Sequence, residues 1–270
     1  MLSDPVTPTQ ITRGQRLWLY ALVTLIALFL VVPCLLVIPM SFSGGTYLEF
    51  PPKSLSLRWY QAFLGSPEWR QATLTSLKSA GLTTVIATVL GTAAAWGIHQ
   101  RSTVFSQGLR GLFMLPMLVP LILVAIGLFF LFSRLGLNGT LTGLVLAHTM
   151  LAIPFVVIAV GNGLSSYDMS QHMVAQSLGA NGLVAFFTVT LPQIRISVLS
   201  GAVFAFITSF DEVVVGLFIA SGSNETLARR MFSNIRDQVD PTVAAISSLL
   251  VGMVVIGMAV FMILQPKAKR

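Results

Sequence analysis

The chain has 270 residues, of which 55% are hydrophobic and only 9% charged; an ordinary soluble domain is about one quarter charged. That balance excludes a soluble globular domain and points to a polytopic membrane protein. The formal charge of +7 is spread over loops and ends instead of one stripe, so membrane lipid, not nucleic acid, is the expected partner of the basic residues.

Hydropathy predicts six spans, at 17–40, 72–98, 110–133, 141–163, 196–220 and 242–264, each near the roughly 20 apolar residues a bilayer core requires. The runs are continuously apolar and do not alternate, which selects helices over barrel strands. Arg13 and Arg16 precede the first run. It exceeds the about 7–15 apolar residues of a signal peptide and no small-residue cleavage site closes it, so it reads as a retained span. Cys34, the one cysteine, lies inside it and leaves no intramolecular disulfide to form. The following loop, about 43–71, holds "PPKSLSLRWYQAFLGSPEW" and predicts a short amphipathic helix at the interface. Trp18 and Trp96 fit one aromatic belt; Tyr47, Trp59, Tyr60 and Trp69 fit the other.

In the second span Ala87, Gly91 and Ala95 are spaced for close helix packing. Prolines interrupt the first span at Pro33 and Pro39, the third at Pro116 and Pro120, and the fourth at Pro154; each predicts a kink. His148, in the fourth span, reads as a neutral, hydrogen-bonded core histidine, whereas His99 and His172 fall at span edges or in loops and read as solvated. The three histidines have no metal-ligand spacing, and no metal or cofactor is expected. There is no G-x-x-x-x-G-K-[ST] phosphate loop, no G-x-S-x-G and no H-E-x-x-H, so the chain is not expected to be an enzyme or to hydrolyse ATP itself.

Six spans put both termini on one face. With the termini inside, basic residues divide eight against eight; "KAKR" at the end and Arg16 favour termini inside because residues near span ends weigh most. Only Asp4 and Asp168 of the acids then fall inside, so the outer face is the richer in carboxylates.

Between spans four and five, "SSYDMSQHMVAQSLGANGLVAFFTVTLPQIR" predicts two short helices. Asp168 caps the first, Gly179 ends it, Asn181 caps the second, and Pro192 is expected to stop that one. Met169 and Met173 share a face at i, i+4, which suits docking to another protein or packing against the protein's own helices. This loop, about 165–192, resembles the EAA motif (E-A-A-x-x-x-G, then I-x-L-P) of binding-protein-dependent ABC importer permeases. "MVAQSLG" supplies Met173, Val174, Ala175 and Gly179, followed by Ala180; "VTLP" supplies Val189, Leu191 and Pro192. The motif's glutamate is Met173 here and its first alanine is Val174, which weakens the polar part of the contact but not the helix–Gly–helix geometry. "LVLAHTMLAIPFVV", "SFDEVVV" and "VDPTVAAISSLL" are similar to the spermidine/putrescine-type branch, in its second permease subunit.

The resemblance implies an all-α membrane protein of the type I ABC importer permease fold, one permease domain over 1–270 with a cytoplasmic coupling helix between helices four and five. It implies a second homologous permease as heterodimer partner, a dimeric cytoplasmic ATPase seated on Met173, Val174, Ala175, Gly179, Ala180, Leu191 and Pro192, and a periplasmic binding protein. It also implies a bacterial inner membrane with both termini cytoplasmic, and a polyamine as solute; an amino acid, an opine or another small organic solute is the alternative. A stand-alone secondary transporter lacks the inverted repeats such folds show and leaves the structured loop unexplained.

The fifth span holds "TSFDEVVVGLFIASG". An ionisable residue at a helix centre costs about 2.5–3.5 kcal/mol to insert and is a functional candidate by default. Successive helical residues point about 100° apart, so Asp211 and Glu212 are expected to have different tasks, one lining a pathway and the other meeting a neighbouring helix or backbone, unless a kink in the span brings both to the cavity. Thr208 shares a face with Asp211, and Phe204 and Phe210 are candidates for cation–π contact with a cationic solute. Beyond this span "NETLARRMFSNIRDQVDPT" predicts an outer amphipathic helix capped by Asn224, with a Glu225–Arg229 pair and a stripe of Leu227, Met231, Ile235 and Val239. Arg229, Arg230 and Met231 are the candidates for an outer gate or binding-protein dock, and either arginine is a candidate counter-charge for the two acids.

Overall fold

The computed structural model describes residues 13–100 and 104–264; Asp4, Arg101, Lys267, Lys269 and Arg270, which enter the charge count, lie outside the described residues. The helices run α1 (Arg13–Ser41), α2 (Arg58–Gly65), α3 (Pro67–His99), α4 (Val104–Leu118), α5 (Leu121–Leu135) and α6 (Leu141–Ser165). They continue α7 (Ser170–Ser177), α8 (Gly182–Ala185), α9 (Leu191–Phe210), α10 (Val214–Ile219), α11 (Leu227–Gln238) and α12 (Thr242–Leu264). Among the described residues, five segments are long and apolar enough to cross a membrane, or six if the bent pair α4–α5 is one span.

The chain divides into two compact units: residues up to Ser66 together with those from Asn234, and residues Pro67–Ser233. In the first unit α1 and α2 both pack on α12. The side chains of α1 stay largely exposed, as suits a helix whose solvent is hydrocarbon. The Tyr60 hydroxyl of α2 lies 2.6 Å from Ser41 Oγ and 2.7 Å from Ser248 Oγ, so one polar knot joins the ends of α1, α2 and α12.

The second unit is built on α3, α6 and α9, which pack mutually around Ala87, Ala95, Ala152, Val156, Val160, Ile194 and Ala205. The small residues expected to allow close approach do so: a Cβ added to Gly91 would lie 2.7 Å from Val156 Cβ and Cγ1. The third span, predicted over 110–133 with kinks at Pro116 and Pro120, is a sharp bend between two helices. Here α4 and α5 meet at 98°. Pro120 caps α5 without an N–H to donate, and a residue before proline is pushed out of the helical region; Val119 is that residue.

The loop before α9 folds much as its caps predict, with two corrections. Ser170 N and Oγ donate to Asp168 at 3.0 and 2.7 Å, which holds the Asp168 carboxyl below the usual carboxylate range through the hydroxyl first and the backbone second. Gly179 adopts φ 96, a left-handed turn open to glycine, and Ala180 N closes back onto Ala175 O at 3.1 Å. Val184 N donates to Asn181 Oδ1 at 2.8 Å. The second short helix, however, does not stop by Pro192. A π-helical turn at Phe186–Thr190 carries α8 into α9, and the fifth span runs unbroken over Gly182–Phe210. Leu191 N reaches back to Phe186 O, and this wider turn absorbs the proline that an α-helical turn would exclude. His172, expected in solvent, is 3% exposed: its Nδ1 lies 3.0 Å from Thr190 Oγ1 and its ring meets Trp96 at 5.0 Å, because α7 folds back on the π-helical turn. Trp96, placed in an interfacial belt by the sequence, also packs on Phe186. Trp69 is likewise buried, at 5%, with the Arg230 guanidinium 5.0 Å above its ring.

Candidate functional site

The fifth span ends sooner than hydropathy predicts. α9 closes at Phe210 with Asp211 as its C-cap, and α10 opens at Val214, so the two acids occupy a break and not a helix interior. The 100° argument therefore does not apply, and the two acids differ in their surroundings for another reason. Glu212 is 7% exposed and its carboxylate accepts from Val215 N and Gly216 N, both at 2.9 Å. It caps α10, satisfying donors that a new helix start leaves open. Asp211 is exposed, and among the described residues no basic side chain lies within ion-pair distance of it.

Both acids border a cavity of about 790 Å³, within the 300–1,000 Å³ usual for small-ligand sites. Its other walls are Pro116–Leu121 from the α4–α5 bend, Leu151 and Phe155 from α6, Ile207 and Thr208 from α9, and Val213–Val214. Two breaks thus face one cavity. The C-terminal ends of α4 and α9, with their unpaired carbonyls, border it, and helix C-termini carry partial negative charge. The positive start of α10 meets the Glu212 carboxylate, and the start of α5, at Leu121 after its Pro120 N-cap, also borders the cavity with the partial positive charge of a helix N-terminus. The chamber is mostly apolar, with one open carboxylate, two helix C-termini and the start of α5 on its walls.

Of the other predicted pathway residues, Thr208 lines the cavity. Phe204 and Phe210 are not among the lining residues: Phe204 stacks on Phe155 at 6.4 Å and Phe210 on Phe206 at 5.7 Å. Phe155, which no sequence pattern singles out, is the aromatic wall. Arg229 and Arg230 do not pair with Asp211 or Glu212; their acid is Glu225, at 3.8 and 3.2 Å. Asn224 does not cap α11 but donates to Gly139 O at 2.7 Å, while Thr226 Oγ1 accepts from Arg229 N at 3.3 Å. Within the expected stripe Leu227 is buried at 2%, whereas Ile235 and Val239 are exposed; Met231 is half-buried.

The sequence did not signal the pairing in a buried contact at the break. His148, of α6, is wholly buried, and its Nδ1 lies 2.8 Å from Ser209 Oγ, bearing out the hydrogen-bonded core histidine. Its Nε2 lies 3.6 Å from Glu212 Oε2. On the loop between α6 and α9, Met173, Val174, Leu178, Leu183 and Val184 present an exposed apolar surface on either side of the Gly179 turn. Ala175 and Ala180 are half-buried, and Gly179 and Pro192 are exposed; Leu191 packs against the α3–α6–α9 core.

The model of the family described as binding-protein-dependent transport system inner membrane component matches residues 87–270. A spermidine/putrescine transport system permease protein PotC of Haemophilus influenzae is 27% identical over 223 residues, covering 83% of this chain and 86% of that protein. The putrescine transport system permease protein PotI of Escherichia coli K12 is 29% identical over 245 residues, covering 88% and 86%. A molybdenum transport system permease protein ModB of Mycobacterium bovis is 29% identical, covering 78% and 86%. Among solved structures, a bacterial ABC transporter involved in the import of the acidic polysaccharide alginate shares the fold, with TM-score 0.74 at 14% identity over 97% of this chain and 100% of that one. The chain belongs to the family of binding-protein-dependent transport system inner membrane components, with the type I permease fold, and is the permease subunit of an ABC importer.

Proposed function

We propose that the chain forms half of the translocation pathway for a small organic cation, a polyamine of the putrescine/spermidine kind first. The observation that carries this reading is Asp211: an exposed carboxylate with no basic partner among the described residues, at a cavity of about 790 Å³ bordered by two helix C-termini. Thr208 and Glu212 share that wall, and Phe155, backed by Phe204, offers a ring face to an amine. The relatives named for spermidine and putrescine support the same solute class. Other relatives are named for molybdenum and, among structures, for alginate, so the fold alone does not choose a solute charge; Asp211 supports a cation.

The working unit in this proposal is the whole chain as one permease domain in a bacterial inner membrane, termini cytoplasmic, paired with a second homologous permease. A separate dimeric ATPase supplies the hydrolysis. It docks on the apolar surface around Gly179, where Met173 stands in for the family motif's glutamate and makes the contact more hydrophobic. A periplasmic binding protein delivers solute near Arg229, Arg230 and Met231. The test is calorimetry of that binding protein against putrescine, spermidine, amino acids and opines, followed by uptake with the reconstituted complex. Polyamine binding and ATP-dependent polyamine uptake are expected. Binding of an amino acid or opine alone moves the solute to the second reading, and uptake by this chain without an ATPase overturns the importer architecture.

A further inference from the structure

His148 is the buried group that the pathway leaves without a task. Its ring is wholly buried on α6, and its Nε2 has no hydrogen-bond partner among the described residues. Nδ1 lies 2.8 Å from Ser209 Oγ, in the last turn of α9. Nε2 lies 3.6 Å from Glu212 Oε2, in the break that follows. When the Ser209 hydroxyl donates to Nδ1, the neutral ring carries its hydrogen on Nε2, aimed at the carboxylate. A movement of a few tenths of an ångström turns that approach into a hydrogen bond of about 2.8–3.2 Å. Glu212 in turn holds Val215 N and Gly216 N. One ring on a third helix thus touches both sides of the break, and among the described residues no other charged side chain lies within ion-pair distance of it.

We infer that His148 is a positioning residue: by gripping Ser209 and Glu212 together it keeps the 211–213 segment out of the helix and so turns Asp211 toward the cavity. The inference rests on the reading of Asp211 as the pathway carboxylate. Without the ring, α9 and α10 lose the pin between them, and the segment is free to rewind. That change acts on how well the break is held through the transport cycle, and not on how tightly an amine meets Asp211.

The test uses the complete complex in membrane vesicles. The chain carries Cys34→Ala and Val213→Cys, so that a cationic thiosulfonate reagent reports the shape of the break without any solute. His148→Leu is expected to change the labelling rate of the introduced thiol at least about fivefold, and His148→Gln, which keeps a donor near the Nε2 position, to restore it to within about twofold. Radiolabelled putrescine uptake is expected to lose about tenfold in maximal rate in His148→Leu with KM held within about threefold, whereas Asp211→Asn raises KM. The double change His148→Leu with Glu212→Gln is expected to be no worse than the worse single change, because the two act as a unit. Ser209→Ala, which leaves the ring in place, is expected to shift labelling about threefold in the same direction, so a His148→Leu chain that does not assemble leaves the test intact. Unchanged labelling in both His148→Leu and Ser209→Ala, a KM rise without a rate loss in His148→Leu, or multiplicative losses in the double change would each overturn the inference. No putrescine uptake by the unaltered complex contradicts the proposed solute alone, and labelling then decides the role of His148.

Discussion

Asp211 and Glu212 are chemically near-identical neighbours with opposite surroundings. Each costs about 2.5–3.5 kcal/mol in a hydrocarbon span unless it finds water or partners. Glu212 finds two backbone N–H groups; Asp211 faces the cavity. The two substitutions therefore separate stability from transport. Glu212→Ala strips those donors and is expected to lower stability by about 1–3 kcal/mol, read as a depressed melting temperature of the complex in nanodiscs. Asp211→Asn is expected to leave that temperature unchanged, within about 0.5 kcal/mol. The acids themselves were legible in the sequence as charge in an apolar run. The break was not: "SFDEVVV" contains no glycine or proline, and its cause is a carboxylate that caps a new helix three and four residues ahead, a choice local propensity does not reveal. His148 was legible as a core histidine, its partners only from the fold.

Among the elements, span positions were readable and their interruptions were not. Pro116 and Pro120 announced a kink, but 98° is fixed by packing of α5 against α10 and of α4 against α6. Pro192 looked like a helix end, yet a π-helical turn carries it. The small-residue face of α3 was read correctly because close packing needs small side chains wherever it occurs. Gly91→Leu is expected to cost about 1–3 kcal/mol from overpacking on Val156, and Val156→Ala to recover part of that in a double-mutant cycle by thermal unfolding; additive costs would contradict the contact. His172 gave no sequence signal, being isolated in a loop, and its value came only from the fold: it ties α7 to the turn that starts α9. His172→Leu and Thr190→Val are each expected to lower putrescine uptake per ATP hydrolysed about fivefold, without adding to each other. Uptake and hydrolysis falling together would show instead that this contact does not act on coupling.

For the whole molecule, composition alone established a polytopic helical membrane protein, and the loop motif around Gly179 pointed to its family. Orientation was hardly legible, because basic residues divide evenly between the faces. Solute charge was legible only in outline: two intramembrane acids suggested a cation, and the break that exposes Asp211 and buries Glu212 gave no sequence signal. Phe204 and Phe210 do not line the cavity, and Phe155, on α6, does, because sequence periodicity does not say which helix supplies the cavity's ring. The most direct measurement is the initial rate of radiolabelled putrescine uptake, against concentration, by the reconstituted complex carrying Asp211, Asp211→Glu or Asp211→Asn. A pathway carboxylate predicts KM raised about tenfold by Asp211→Asn and held within about threefold by Asp211→Glu; unaltered kinetics in Asp211→Asn would contradict it.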